Sequence, residues 1–313
     1  IIRPISSKCH LYLLPRPNCQ GSTRPQHEVH VLAYEIGLTE VSVGQYDQCL
    51  QSGGCEPPSG CGSNIGKKGK GRHPANCVTW HQARNYCDWA GARLCADSEW
   101  EKAARGGCER YESQDCRTAM PKYPWGNAAP TCEHTNQGGC ESSTTPVGSR
   151  PAGASAYGVL DMSGNVKEWI EDCNHGNYEE HPTDGSAWTW DCRSSWVPGD
   201  EWTRSPRDFG FGWGSFVEIN RRGNYTESSV YPQLGLRCCR PYTTDLDTDG
   251  ILGDGNQSGV HGDAPCTGGL VAGCDDNCPR AANPDQTDSD GDGAGDARDN
   301  CKGLQHPDQA DLD

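Results

Sequence analysis

The residues with the plainest chemistry are carboxylates near the end of the chain. Asp245-x-Asp247-x-Asp249-Gly250 is followed by Asp254, and Asp288-x-Asp290-x-Asp292-Gly293 by Asp296 and Asp299. Asp311-x-Asp313 begins the pattern again. Carboxylates at alternate positions, then a Gly that permits a sharp turn, can wrap oxygen around a hard cation. Calcium takes about six to eight such oxygens, some of them backbone carbonyls. Asp276-Asn277-Cys278 returns as Asp299-Asn300-Cys301, and Asn283-Pro284-x-Gln286-x-Asp288 as His306-Pro307-x-Gln309-x-Asp311, both 23 residues later. A fixed offset of this kind marks an internal repeat rather than a solvated acidic linker. The pattern lacks the position-twelve Glu and the flanking helices of an EF-hand. Several calcium ions are expected here, with Asp276, Asn277 and Asn300 among the ligands.

Cysteine is the second reactive type. Sixteen of the 20 lie between Cys9 and Cys239, and Cys266, Cys274, Cys278 and Cys301 lie in the tail. Even counts without zinc-ribbon spacing predict disulfides and an oxidising, extracellular compartment, although spacing does not give the connectivity. The chain opens at Ile1 with no charged-then-apolar leader, so a mature bacterial product or fragment, secreted or on the cell surface, is expected, continuing beyond Asp313. No nucleophile elbow, P-loop or dinucleotide fingerprint is present.

Charge divides the chain. Of the formal −16, the stretch 244–313 carries −13, from 16 Asp against Arg280, Arg298 and Lys302. All ten Trp, eleven Tyr and three Phe precede Thr244, so the tail has no aromatic core. Two domains are expected, 1–243 and 244–313. An acidic chain argues against nucleic acid as partner, and no apolar run reaches the ~18 residues of a membrane span.

Two helices must position whatever chemistry the first domain holds. Thr79 caps one running through Trp80, Ala83, Tyr86, Cys87 and Ala90. The other covers Asp97 to Arg105, with Ser98 and Glu101 as a capping box. Strands are expected at 28–36, 215–220 and around 234–239. Much of 105–215 reads as long ordered loops held by disulfides, metal or buried Trp.

The blocks along this domain are family-specific in their order. They run from Tyr34-Glu35-Ile36-Gly37-Leu38-Thr39-Glu40-Val41-Ser42 through Trp89-Ala90-Gly91-Ala92-Arg93-Leu94 and Glu99-Trp100-Glu101-Lys102-Ala103-Ala104-Arg105. Tyr157-Gly158-Val159-Leu160-Asp161-Met162-Ser163-Gly164-Asn165-Val166-Lys167-Glu168-Trp169, Arg222-Gly223-Asn224-Tyr225 and Gly235-Leu236-Arg237-Cys238 follow. Together they resemble the formylglycine-generating, sulfatase-modifying family over nearly all of residues 20–241. The resemblance implies an α+β fold of the C-type-lectin-like formylglycine-generating type with little regular secondary structure. Residues 245–313 resemble thrombospondin type 3 calcium-binding repeats, which implies an irregular tail stapled by calcium and disulfides. In the first domain, the resemblance implies a further calcium at Asn165 and Glu168. The alternative is that these two tie loops down by hydrogen bonds.

Formylglycine-generating members use copper held by two cysteines, placed after the block at Arg222 and before the one at Gly235. Here the interval 224–234 contains no cysteine, so copper is not expected, and Cys238 and Cys239 are expected in disulfides rather than as a displaced copper pair. His27 and His30 form the one close histidine pair and should face opposite sides of a strand. The absent thiolates and the Trp-rich stretch 174–214 lead to the expectation of a non-catalytic binding or structural protein. It would be a subunit of a homo-oligomer or extracellular assembly, with a glycan or protein at the Trp loops. The alternative is an oxidase or other modifying enzyme of the family.

Overall fold

Among the described residues, short strands and three capped helices carry the regular structure. The computed structural model describes residues 2–5, 10–13, 25, 27–58, 60–107, 121–192, 202–207, 210–212 and 218–241, and in the tail 265–266, 274, 285–287 and 289. In chain order the elements are β1 (Ile2–Ile5), β2 (His10–Leu13), β3 (His27–His30), β4 (Tyr34–Gly37), α1 (Val43–Gln51), α2 (Trp80–Trp89), β5 (Arg93–Leu94) and α3 (Asp97–Arg105). After a 3-10 turn at Pro151–Gly153 come β6 (Lys167–Trp169), β7 (Thr203–Arg204), β8 (Tyr225–Thr226), β9 (Leu234–Leu236) and β10 (Cys238–Pro241). The chain divides into two compact units, Ile1–Arg240 and Pro241–Asp313.

Local chemistry explains each helix start. Thr79 Oγ1 accepts from the Gln82 N–H at 3.1 Å, and Gln82 Oε1 accepts from the Thr79 N–H at 3.0 Å, a reciprocal box that opens α2. The same pairing of Ser42 with Gln45 opens α1, a helix the apolar spacing did not reveal. At α3 the expected box is displaced. Ala96 is the extended N-cap, and Glu99 Oε2 accepts its N–H at 2.8 Å. Ser98 instead donates to the Gly185 carbonyl at 3.1 Å, and Glu101 pairs with Arg105 and Arg207. The strand expected at 28–36 is broken into β3 and β4, and residues 218–220 form a turn rather than a strand, closed by Arg221 N–H donating to Glu218 O at 3.1 Å.

The largest sheet has the order β1-β4-β10-β5, with β4 antiparallel to β1 and β10 antiparallel to β5. Three two-stranded ladders surround it: β2 with β3, β6 parallel to β9, and β7 antiparallel to β8. Two apolar clusters fill the first unit, one around Ile36, Trp100, Met162 and Ile170, the other around Tyr46, Trp80, Trp169 and Leu236. Among the described residues the indoles of Trp80, Trp100 and Trp169, the most deeply buried, each find an acceptor, whereas Trp188 Nε1 has none, a costly exception for a buried N–H. Trp80 donates to Ile170 O at 2.8 Å, Trp169 to Val78 O at 2.9 Å, and Trp100 to Glu168 Oε2 at 2.6 Å.

Disulfides hold what the ladders leave open. Cys49–Cys55, Cys61–Cys77, Cys132–Cys140 and Cys173–Cys192 close local loops, while Cys87–Cys238 and Cys95–Cys239 tie α2 and the start of α3 to β10. Closing long loops removes more freedom from the unfolded chain than closing short ones. In the second unit, Cys266–Cys274 forms a buried pair, and Thr287 N–H donates to the Asp285 carboxylate. No helix among the described residues is long and apolar enough to cross a membrane.

Candidate functional site

The cysteine-free interval 224–234 is built into a polar surface rather than left as filler. β8 pairs with β7 in the register Thr203↔Thr226 and Arg204↔Tyr225. Glu227 N–H donates to the Trp202 carbonyl at 3.2 Å, and the Glu227 carbonyl accepts from the Trp80 N–H at 3.0 Å. Glu227 is thereby pinned between the first turn of α2 and the edge of β7.

Its carboxylate is held on both sides. Arg204, only 4% exposed, brings Nε to Glu227 Oε1 at 2.8 Å and Nη2 to the same oxygen at 2.7 Å. The guanidinium itself is fixed by donating Nη1 to Glu171 O at 2.6 Å and by lying 3.8 Å over the Trp80 ring. The other oxygen, Glu227 Oε2, meets His81 Nε2 at 3.1 Å, and the His81 side chain is 63% exposed. Trp202, 45% exposed, stands beside Arg204. A carboxylate that orients an exposed imidazole is an arrangement suited to proton transfer. Along the same segment, Lys167 Nζ donates to Tyr225 OH at 2.5 Å, Tyr231 crosses Tyr225 edge-on, and Thr226 Oγ1 lies within hydrogen-bond reach of Ser228 and Ser229.

Beneath this face lies a framework of buried charge. Arg237 and Glu168, both essentially inaccessible, form a fork with Nη2 at 2.8 Å from Oε1 and Nε at 2.9 Å from Oε2. Asp97 receives Arg207 and the Tyr178 hydroxyl; burial alone would raise its pKa, but Arg207 and Arg222 pull it down to about 2. Asp172 moves the opposite way, raised to about 7 by burial and by the Asp97 charge. His181 is held neutral by burial, its pKa lowered to about 4; its Nδ1 lies 2.8 Å from Pro182 O and 3.1 Å from His27 Nε2. His30 is exposed while Val29 is buried, the alternation a strand imposes.

The residues expected to hold metal fare differently. Asp245, Asp247, Asp249, Asp254, Asp276, Asn277, Asp288, Asp290, Asp292, Asp296, Asp299 and Asn300 all lie outside the described residues. Asn165 and Glu168 come together with nitrogen donors. Both Glu168 oxygens accept from Arg237, and Trp100 adds a third donor. Asn165 Oδ1 accepts from Thr145 N–H at 2.9 Å, and its Nδ2 donates to Glu40 at 2.6 Å. A cation would have to displace the guanidinium, so this donor set fits the loop-tying role and not the calcium expected there. Asn165 adopts φ +63°, which turns the chain so that Val166 N–H also reaches Glu40.

Thiolate copper does not fit either. Cys238 and Cys239, expected in disulfides, are bonded to Cys87 and Cys95 and line a cleft of about 260 Å³ with Thr39, Glu40, Tyr86 and Arg240. The side-chain groups present in the interval are carboxylate, carboxamide, phenol and hydroxyl, which are not the soft ligands Cu(I) takes. In the Trp-rich stretch, Trp188 is buried against His175, whereas Trp190 and Trp202 are exposed. His81, Arg204 and Glu227 escaped the sequence reading. The available signal was that Glu227 is the one charged residue of 224–234.

A loop-dominated α+β domain, stapled by disulfides and presenting a polar face on a short ladder, is the class of protein that the fold and the site define. Residues 12–242 match the sulfatase-modifying factor enzyme 1-like domain, and the chain belongs to that family. It is 31% identical to the hercynine oxygenase of Mycolicibacterium smegmatis over 182 residues, covering 50% of this chain and 41% of that protein. It is 35% identical to the formylglycine-generating enzyme of Thermomonospora curvata over 127 residues, 37% of this chain and 38% of the enzyme. This chain thus spans about two fifths of the length of these relatives. Among solved structures, PvdO from Pseudomonas aeruginosa aligns with a TM-score of 0.62 at 25% identity, over 77% of this chain and 94% of PvdO. These relatives overturn the expectation of a non-catalytic binding or structural subunit, because the curated proteins that share the domain are modifying enzymes. The cysteine-free interval lacks one kind of ligand, which does not by itself remove chemistry.

Proposed function

We propose that this chain is a modifying enzyme of the sulfatase-modifying factor family, acting on a peptide or small-molecule substrate at the face built on 225–231. The observation that carries this reading is Glu227, locked by Arg204 and bonded to an exposed His81, in the interval where the family's copper cysteines would fall. Hercynine oxygenase and formylglycine-generating enzyme supply the two substrate classes to try, a betaine of histidine and a cysteine-containing peptide. Incubating the disulfide-intact chain with each in air, then weighing the products by mass spectrometry, tests the reading. A mass change on either substrate supports it, and none on both refutes it.

The second unit is read as thrombospondin type 3-like repeats that bind several calcium ions through the Asp ladders, in a secreted or surface protein. Support comes from the 23-residue repetition, the alternate-position carboxylates and the Cys266–Cys274 staple. Disulfides throughout the first unit agree with an oxidising compartment.

A further inference from the structure

We propose that His81 is the proton acceptor of this face, a role that rests on the modifying-enzyme reading and gives it a specific base. The geometry has three tiers. Arg204 is almost wholly buried and immobilised by Trp80 and by the Glu171 carbonyl. It holds Glu227 through one oxygen, and Glu227 offers the other to His81 Nε2 at 3.1 Å. With Nε2–H committed to the carboxylate, the imidazole's free lone pair is on Nδ1. That atom sits on an exposed ring and makes no hydrogen bond to a described residue. A base must be oriented and accessible, and the orienting charge must be unable to swing away.

The surroundings indicate the class of substrate. Trp202 offers an exposed ring for an unsaturated or sulfur-bearing group to lie against. Arg84, half-exposed and three residues along α2 from His81, shares its helix face; it pairs loosely with Glu171 Oε1 at 3.8 Å and keeps positive charge on the side of the anion left behind. A thiol or an azole N–H satisfies both features. The step is a proton transfer alone. The substrate S–H or N–H bond breaks, its electron pair stays on sulfur or nitrogen beside Arg84, and the proton passes to Nδ1. Glu227 then neutralises the imidazolium.

A reporter independent of the physiological substrate separates this role from the broader reading. An accessible, oriented imidazole speeds hydrolysis of p-nitrophenyl acetate to p-nitrophenol and acetate. It acts as general base toward water, or as nucleophile through an acyl-imidazole that water then cleaves, and a solvent deuterium isotope effect of about two or more marks the base route. His81→Gln keeps an amide donor for Glu227 and removes the ring base, so it should lower the second-order rate constant about tenfold. Glu227→Gln should lower it by a smaller factor. His30→Gln, on an exposed histidine of β3, should leave it unchanged. Free imidazole should raise the rate of His81→Ala by more than it raises the protein-free reaction, which a merely structural role would not allow. Equal rates in wild type and His81→Gln, or no rescue, would overturn the assignment even if substrate modification is found. A His81-dependent rate with no modification of either substrate would sustain the base and sink the broader reading.

Discussion

Replacing Arg237 with Met tests how the domain is held together. The guanidinium is fully buried and makes five short contacts: Nε and Nη2 to the Glu168 carboxylate, Nη1 to Gly37 O at 2.6 Å, and Nη2 to Leu160 O at 2.8 Å. Met fills similar volume but leaves Glu168 as a buried charge whose remaining donor is Trp100. Removing one partner of such a pair costs about 3–5 kcal/mol, and each orphaned carbonyl adds about 1–3 kcal/mol if it cannot rehydrate. A loss of about 5 kcal/mol is therefore expected, comparable with the whole stability of many domains. Equilibrium urea unfolding with disulfides intact, followed by near-UV circular dichroism, gives the number. Adding Glu168→Gln to Arg237→Met should recover about half, because no charge is then stranded. A loss below about 1 kcal/mol, or restoration of the single variant by millimolar calcium, would refute the ion-pair reasoning and return Glu168 to the metal.

Acid should act through His181. Its folded pKa near 4 lies below the unfolded 6.5, so only the unfolded chain binds its proton between those values. The contribution is complete above pH 6.5 and is lost as pH falls through 4, up to about 3 kcal/mol; urea midpoints should show a shallower acid slope in His181→Gln. The tail should respond to chelator. Sixteen Asp with three basic residues and no aromatic group repel once calcium is removed, so protease cleavage within 245–313 should accelerate severalfold in EDTA while the first unit stays intact. Unchanged cleavage would dispose of the calcium ladder.

Short-range chemistry made part of the fold legible. Thr79 and Gln82 announce α2, and the apolar residues behind them fall on one face. Ser42 and Gln45 carry the same signal for α1, but the helix buries only Val43, Tyr46 and Cys49, too sparse a stripe to stand out. At α3, Ser98 looked like a cap because the box spacing fits twice, and the choice of Ala96 was made by Glu99, which also binds Arg93. The site was illegible for a different reason. Arg204 and Glu227 meet through a two-residue ladder, and His81 arrives from a separate helix, so no local pattern joins them. That the interval 224–234 lacks cysteine is legible in the sequence; what its residues pair with required the packing.

The proposed activity is modification of a substrate at the Glu227 face without thiolate-bound copper. It is tested most directly by product mass for the cysteine peptide and for hercynine, with wild type and Glu227→Gln side by side, in air with a Cu(I) chelator. A mass change by wild type that survives the chelator and falls at least tenfold in the variant, at a temperature where both are folded, is expected. A reaction abolished by the chelator, or one that proceeds equally in Glu227→Gln, would contradict it.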